Sequence, residues 1–325
     1  AIHPHRKRMG YFCLVEIKLM SFTIGCDPEF FLRDKKSGNL VSAIPFIKGT
    51  KYAPELLKFG GNIQRDNVAV EVATDPAASL NEFIKNVGCT LKEAVKLLPD
   101  GHEIVALPSA RFDKSQLKHP DALVFGCDPD CDAWSVCENS PPCASDPLLR
   151  SCGAHIHVGT TGADENAFLL EFEGKLSMVK IMDCLHGIIS TALDSSEEAV
   201  ERRKLYGKAG AHRPKEYGVE YRVLSNYWLK SPITVMMIYH LTQDALAICR
   251  EKRDVALINE MGEDRIKSVI NDGLCKDAMT MIEKHLLPIL STDSIFYFNE
   301  TLAKIRANDM DLNNEWELNR EEISK

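Results

Sequence analysis

The sequence predicts an α+β fold, and two patterns carry this prediction. Several segments alternate apolar and polar residues, as strands do, whereas the chain from about residue 164 onwards has mainly helical apolar spacing. Strands and helices do not alternate regularly, which argues against βαβ units and a parallel sheet. The expected strands cover residues 22–32, 67–73, 103–107, 154–159 and 218–224.

The first helix is expected to start at Asp75, a suitable N-cap, with Pro76 as its first helical residue. Later helices, which make the C-terminal third helical, are expected at 232–250, 264–270, 278–287 and 294–306.

The chain is expected to contain one catalytic domain, residues 20–308. Residues 1–19 are interpreted as an N-terminal extension, and the acidic residues 309–325 as a solvated tail. Residues 126–150 form a long loop rich in Pro, Asp and Ser, and loops of this length are usually functional.

Composition narrows the class of protein. A formal net charge of −8 argues against a dedicated nucleic-acid or membrane-surface protein, but it allows a local basic pocket for ATP. No apolar run reaches the ~20 residues that span a bilayer, so no membrane segment is expected. The 11 cysteines are scattered and odd in number, which indicates reduced thiols and a cytoplasmic location.

Two strands carry paired carboxylates. Asp27 and Glu29 lie two residues apart, so they point to the same face and repel each other unless a cation lies between them. Glu71 interrupts a valine-rich strand, where a lone carboxylate is costly to bury, and Asp66 precedes that strand.

Two further strands carry complementary groups. His155 and His157 point to one side of the third strand, and Glu220 and Arg222 share a face of the fourth. A ligand set dominated by oxygen, with one or two imidazoles, suits Mg²⁺ or Mn²⁺. An arginine beside such a cluster indicates a polyanion. The sequence therefore predicts a site for a divalent metal and phosphate, although each pair taken alone also fits a structural role.

Four segments in this order resemble a known family. GCDPEFFL, DNVAVEVATDP, LRSCGAHIHVG and EYRVLSNYW are similar to phage-type carboxylate–amine ligases (amidoligases) of the glutamine synthetase and glutamate–cysteine ligase superfamily. The resemblance covers about Ile24 to Trp228. It implies a glutamine-synthetase-like catalytic domain, in which a curved, mainly antiparallel sheet forms a funnel flanked by helices. It also implies ATP-dependent amide formation through an acyl phosphate.

The resemblance assigns roles to individual residues. It implies two or three Mg²⁺ or Mn²⁺ ions held by Asp27, Glu29, Asp66, Glu71, His155 and Glu220. His157 and Arg222 would contact the transferred phosphoryl group. Secondary candidates are Arg150 and Arg213 for phosphate, and Lys48 and Lys51 for nucleotide or substrate. Asp27 stands where many relatives have glutamate.

Alternatives remain open at this point. They are a phosphotransferase on the same fold, a metal-dependent hydrolase suggested by the His-x-His pair, and a non-catalytic nucleotide- or metal-binding protein. A zinc site at Cys127, Cys131, Cys137 and Cys143 is a further alternative, although only the first spacing conforms to zinc sites. The expected partners are a small carboxylate and an amine, with a modified nucleobase and a homo-oligomer left open.

Overall fold

The computed structural model describes residues 22–124, 129–140, 146–161 and 165–319, together with Ile323. The predicted extension at 1–19 lies outside these residues. The strands are β1 Thr23–Asp34, β2 Leu40–Val41, β3 Glu55–Leu56, β4 Asn62–Asp66, β5 Ala69–Ala73, β6 His102–Val105, β7 Ser109–Arg111, β8 Cys131–Asp132, β9 Cys137–Glu138, β10 Leu149–Ser151, β11 Ala154–Gly159, β12 Ala211–Lys215 and β13 Gly218–Tyr221. The α-helices are α1 Leu80–Leu97, α2 Phe172–Met182, α3 Ile188–Leu193, α4 Glu197–Leu205, α5 Pro232–Arg250, α6 Asp254–Met261, α7 Glu263–Asp272, α8 Cys275–Met281, α9 Thr292–Arg306 and α10 Leu312–Glu315.

The fold is a mixed α/β structure built on one large antiparallel sheet. Its eleven described strands follow the order β3-β4-β5-β1-β11-β13-β12-β8-β9, with β2 and β6 paired to the far end of β1. All pairings between these strands are antiparallel. β7 and β10 form a separate two-stranded sheet. The long strand β1 thus lies at the centre and connects the two halves of the sheet.

The two faces of the sheet differ sharply in polarity. On one face Ile24, Val70, Ile156 and Val219 are fully buried, and α1 and α2 contact this face. Side chains of the alternate parity, including Asp27, point to the other face. Burial of the apolar face against helices therefore fixes the register and leaves a polar face above it.

Helix α1 begins later than the sequence predicts. Ala77 exchanges backbone hydrogen bonds with Ile24, so residues around Pro76 run extended beside β1. The N-cap is Ser79, whose hydroxyl accepts from the amide of Glu82. The expectation of an N-cap at Asp75 is wrong, because that carboxylate instead accepts from the amide of Gly61.

Within the described residues up to Asn319, the C-terminal segment is not a solvated tail. Leu312, Trp316 and Leu318 are 3–6% exposed and belong to the main core. The indole Nε1 of Trp316 donates to the carbonyl of Leu229 at 2.7 Å, and its ring packs against Gly88. The expectation fails because it rests on the acidic side chains of this segment and does not consider that Leu312, Trp316 and Leu318 can be buried.

Among the described residues, one helical segment, Phe172–Leu193, is long and apolar enough to cross a membrane by length and composition alone. Within its most apolar window 83% of the residues are buried inside the fold. A core helix of a soluble protein has the same length and composition, and this segment packs under β13.

Candidate metal and phosphate site

Strand pairing brings four of the predicted residues together on the polar face. β1 and β11 pair so that Asp27 lies opposite His155, and β11 and β13 pair so that His157 lies opposite Glu220. The Oδ1 atom of Asp27 lies 3.1 Å from Nδ1 of His155 and 3.3 Å from Nε2 of His157. We call these four residues the central cluster.

The central cluster has the donor set of a divalent metal site. One ligand atom from each of Asp27, His157 and Glu220 lies within 4.8 Å of the others. Oδ1 of Asp27 is buried and has no well-aligned hydrogen bond, although two imidazole nitrogens lie near it. A buried carboxylate oxygen without such a bond is costly unless a cation completes its surroundings. The residues therefore fit the Mg²⁺ or Mn²⁺ that the sequence predicts.

Electrostatics keep the carboxylates of the central cluster charged. Burial alone would raise the pKa of Asp27, but interaction with the imidazoles of His155 and His157 holds it well below its usual range. Burial and Asp27 likewise oppose ionisation of Glu220, yet His155 and Arg222 lower its pKa to about 2. Burial and Arg222 lower the pKa of His155 itself, which favours the neutral form of the imidazole that binds metals.

A second group of carboxylates lies beside the central cluster. Glu29 is paired with Glu71 across β1 and β5, and Asp66 ends the neighbouring strand β4. Burial, followed by the charge of Asp66, raises the pKa of Glu29 to about 8. Burial, followed by Asp27, raises the pKa of Glu71 well above its usual range. Three crowded carboxylates that resist ionisation without a counter-charge are suited to a second divalent ion.

Arg222 links the central cluster to a loop. Its Nη1 is hydrogen-bonded to Glu220 and lies 3.2 Å from Nδ1 of His155. Its Nε donates to Oδ2 of Asp130 at 3.3 Å. Asp130 lies in the long loop at residues 126–150, but its side chain is only 15% exposed because it contacts Arg222.

Two more cations approach Glu220 from strand β12. Nζ of Lys215 lies 2.7 Å from Oε2 of Glu220, and Nη1 of Arg213 lies 3.4 Å from Oε1. No strand is predicted at Arg213, whereas the structure places this residue on β12, directly opposite Glu220. Strand β12 is missed because its sequence, AHRPK, lacks apolar alternation and contains proline.

Two predicted site residues have most of their contacts outside the central cluster. The guanidinium of Arg150 donates to the side chain of Asn67 and to the carbonyls of Ala122, Pro147 and Leu149, so most of its donors are already used. Arg150 also lines a cavity together with Glu29 and Arg222, and its role towards phosphate stays a prediction. Lys48 has an exposed side chain, and its carbonyl accepts from Arg65.

Lys51 does reach the site. Its positive charge opposes the rise in the pKa of Asp66 that burial causes. The side chain is exposed, so it can move towards a ligand above the carboxylates.

Two cavities flank the central cluster. The larger, of about 450 Å³, is lined on one side by small residues such as Gly25 and Gly159, and by Glu71, His157 and Tyr217. The smaller, of about 60 Å³, lies towards Glu29, Arg222 and the buried Arg202. The polar face thus offers a wide space and a narrow one on opposite sides of the cluster.

Tyr217 is a site residue that the sequence analysis missed, because a turn tyrosine carries no distinguishing pattern. Its hydroxyl lies 2.6 Å from Nδ1 of His157. If Nε2 of His157 binds a metal, Nδ1 carries the proton and donates it to this hydroxyl. Tyr217 would then fix both the tautomer and the orientation of the ring.

Tyr217→Phe is expected to weaken Mn²⁺ binding by about 10-fold, because outer partners of metal-bound histidines typically contribute 10–100-fold to affinity. The measurement is a calorimetric titration with Mn²⁺. Tyr297→Phe is the matched control, since that ring also stacks on a histidine, His240, but lies outside the cluster. Equal Mn²⁺ affinity in the two variants would refute a positioning role for Tyr217.

Comparison with known proteins supports the resemblance found in the sequence. Residues 147–263 match the family described as phage phiEco32-like COOH.NH2 ligase-type 2. This segment contains His155, His157, Glu220 and Arg222. The predicted resemblance to carboxylate–amine ligases is thereby confirmed, and a carboxylate–amine ligase is the class of enzyme that the segment matches. Among curated proteins, no sequence matches the chain.

Several solved structures are similar to this chain at low identity. A bifunctional glutathione synthetase from Pasteurella multocida is 13% identical, with a TM-score of 0.44, 92% of this chain covered and 48% of that one. A glutamate–cysteine ligase from Francisella tularensis, in complex with AMP, is 9% identical with a TM-score of 0.45, covering 90% and 83% of the two chains. A glutamine synthase homologue is 12% identical with a TM-score of 0.32, covering 88% and 71%. This chain spans about half the length of the first of these proteins.

Proposed function

We propose that the protein is an ATP-dependent ligase that uses Mg²⁺ or Mn²⁺ to join a small carboxylate to an amine through an acyl phosphate. The observation that carries the proposal is the central cluster, with its poorly hydrogen-bonded buried carboxylate oxygen and the adjacent Arg222. The match of residues 147–263 to a carboxylate–amine ligase family supports it. The antiparallel sheet, with one polar face, is consistent with the glutamine-synthetase-like funnel that the resemblance implies.

The proposed reaction has two steps. A carboxylate oxygen of the substrate attacks the γ-phosphorus of ATP, and ADP leaves with the electrons of the broken bond. The amine nitrogen then attacks the acyl carbon, phosphate leaves, and the nitrogen loses a proton to give the amide. Phosphoryl transfer of this kind depends on positioning and on charge neutralisation more than on covalent chemistry by the protein.

Each residue group has a distinct task in this proposal. Asp27, His155, His157 and Glu220 would hold one divalent ion, and Glu29, Asp66 and Glu71 a second. Bound divalent ions supply charge neutralisation and polarisation of phosphate oxygens. Arg222 would direct its guanidinium towards the transferred phosphoryl group, since its planar donors match such oxygens. Arg213, Lys215 and Lys51 would add positive potential for the nucleotide.

The cavities suggest how the ligands divide the polar face. Only the larger cavity has room for a nucleoside, and its small side chains allow a planar base to lie close to the sheet. The protein is proposed to act in the cytoplasm, on substrates that include amino acids, polyamines or a modified nucleobase. Homo-oligomer formation is part of the same proposal and is testable by light scattering.

The test is conversion of ATP to ADP and phosphate with Mg²⁺ or Mn²⁺, in the presence of pooled amino acids and polyamines. A carboxylate and an amine together are expected to raise the rate of ATP turnover. In Glu220→Ala this rate is expected to fall by at least about 10²-fold. Phosphorylated carboxylate without an amide product would indicate the alternative phosphotransferase. If the protein binds nucleotide and metal but turns over ATP with none of the pools, the result would support a non-catalytic binding protein. If it shows neither binding nor turnover, the proposal is refuted.

A further inference from the structure

The small cavity beside the central cluster contains a cation that neither the sequence patterns nor the family match assigns. Arg202, on helix α4, is about 2% exposed and lines this cavity together with Gly153, His155 and Arg222. Burying a guanidinium in a protein is costly unless acceptors or an anion surround it. The partners of Arg202 therefore indicate what the cavity is built to hold.

Backbone carbonyls hold the guanidinium in place without neutralising it. Nε donates to Cys152 at 2.8 Å, Nη1 to Val223 at 2.8 Å, and Nη2 to Arg222 at 3.3 Å. A guanidinium has five N–H donors, so these three contacts leave about two for other acceptors. Within the described part of the chain, no carboxylate forms an ion pair with Arg202 at 4.0 Å or less. The side chain is thus oriented, and the carboxylate of Glu29 offsets part of its charge without forming an ion pair at this distance.

Gly153 lets Arg202 approach His155 at the cavity wall. A Cβ atom at this position would lie 2.7 Å from Nη2 of Arg202 and 2.8 Å from Nε2 of His155, which is closer than side chains tolerate. Two nitrogens from distant elements therefore converge over one glycine. Such a close approach is typical of places where backbone makes room for a ligand or for its donors.

The cavity also contains carboxylates. Oε2 of Glu29 accepts from the amide of Gly153 at 2.7 Å, Asp66 lines the same cavity, and Asp130 is bonded to Arg222. An oxyanion alone would be repelled by Glu29 and Asp66. An oxyanion bound together with a divalent cation would match both kinds of charge, with the cation at the carboxylates and the oxygens towards Arg202.

We propose that Arg202, with Gly153 and His155, forms an oxyanion-binding site for a carboxylate or phosphoryl group that enters with a divalent metal ion. A volume of about 60 Å³ suits a group of this size. A single water needs about 10–15 Å³ of such space, so the cavity holds about four water-sized positions, which is enough for a head group but too little for a nucleoside. The assignment of the oxyanion to the reaction rests on the proposed ligase function, whereas the binding site itself does not.

The neighbouring residue on α4 provides a matched control. Arg203 is also buried, at 5% exposure, but it is not part of the cavity wall and packs against Gly273 and Val200. Arg202→Lys and Arg203→Lys therefore make the same chemical change on one helix, with similar consequences for packing. Lysine keeps the charge but loses the planar donors that hold an oxyanion.

The experiment measures binding of orthophosphate and, separately, of acetate to the full chain with saturating Mn²⁺, by calorimetry. Wild type is expected to bind at least one of them, with affinity at least about 10-fold lower in Arg202→Lys and unchanged within about twofold in Arg203→Lys. Orthophosphate binding alone assigns the site to the transferred phosphoryl group, and acetate binding assigns it to the substrate carboxylate. Thermal melts without anion establish that both variants are folded.

Gly153→Ala gives a second route if Arg202→Lys does not fold. The added methyl group should separate Nη2 from Nε2 of His155 and weaken anion binding by at least about 10-fold, with Arg202 intact. No anion binding by wild type, or equal loss in Arg203→Lys, would overturn the inference. ATP turnover in a protein that binds neither anion would refute this site and leave the ligase function standing. Anion binding that depends on Arg202, in a protein that does not turn over ATP, would support this site and refute the ligase function.

Discussion

Asp27→Asn is expected to lower ATP turnover by about 10³-fold or more, while the metal-free protein stays folded. Asp27 is the one residue whose carboxylate lies between both imidazoles of the His-x-His pair, with an Oδ1 atom that lacks a good hydrogen bond. An amide keeps the shape but loses the charge that binds a divalent ion and offsets phosphate repulsion.

Removing the charge of Asp27 has two opposing effects on the stability of the metal-free protein. It relieves repulsion, because this charge raises the pKa of Glu71 and opposes ionisation of Glu220, but it also removes the attraction to His155 and His157 that lowers the pKa of Asp27. The measurements are steady-state ATP turnover, Mn²⁺ titration, and urea unfolding in the presence of a chelator. Asp272→Asn, the same change at an exposed residue of α7, is the control.

Retention of Mn²⁺ affinity in Asp27→Asn would contradict the metal assignment. Loss of affinity together with a large loss of metal-free stability would show that the central cluster is a structural network. Only loss of metal binding in a stable fold agrees with the proposed function.

The sequence predicts which side chains share a face, but not which strands meet. Period-two alternation along each strand is enough to place Asp27 with Glu29, and His155 with His157. The opposition of Asp27 to His155 depends on the pairing of β1 with β11, two strands that lie far apart in the sequence. Such pairing is decided by burial of Ile24 and Ile156 against helices, which a local pattern does not report.

Arg202 and Lys215 are not predicted as site residues, because only the folded structure brings them close to the central cluster. Arg202 belongs to an ordinary charged helical segment, EEAVERRKL, and its burial follows from the packing of α4 against β7. Lys215 follows a proline on a polar strand. The sequence places Arg150 near the His-x-His strand, but it does not show that loop carbonyls accept from most of its donors while the residue lines the smaller cavity.

A buried carboxylate on the opposite face of the sheet supports the site from below. Asp183 lies in the π-helical turn Asp183–Gly187, between α2 and α3, and is fully buried. Its Oδ2 accepts from the indole of Trp134 at 2.7 Å and the amide of Gly210 at 2.6 Å, and its Oδ1 accepts from the hydroxyl of Tyr221 at 2.8 Å. Tyr221 adjoins Glu220, and Trp134 belongs to the loop segment that carries Asp130.

Asp183→Ala is expected to lower the free energy of unfolding by about 3–5 kcal/mol, because it leaves three buried donors without an acceptor at about 1–3 kcal/mol each. Asp183→Asn is expected to behave differently. Its amide oxygen can accept from Trp134 and Gly210, while its amide nitrogen donates to the hydroxyl of Tyr221. The comparison separates the need for hydrogen bonding from the need for charge.

The dependence on pH distinguishes these variants further. Burial raises the pKa of Asp183 to about 7, against the opposing hydrogen bonds from Trp134 and Tyr221. Because the pKa in the unfolded chain is about 3.9, the folded state holds the proton more tightly, and this contribution to stability is lost as pH rises from about 4 through 7.

Asp183→Asn does not titrate. We therefore expect its unfolding free energy to equal that of wild type near pH 4 and to exceed it by up to about 4 kcal/mol near pH 8. Urea unfolding of the metal-free proteins at several pH values, followed by tryptophan fluorescence, measures this difference. A difference that stays constant with pH would show that Asp183 is ionised in the folded protein throughout, and that its three donors compensate for burial of the charge.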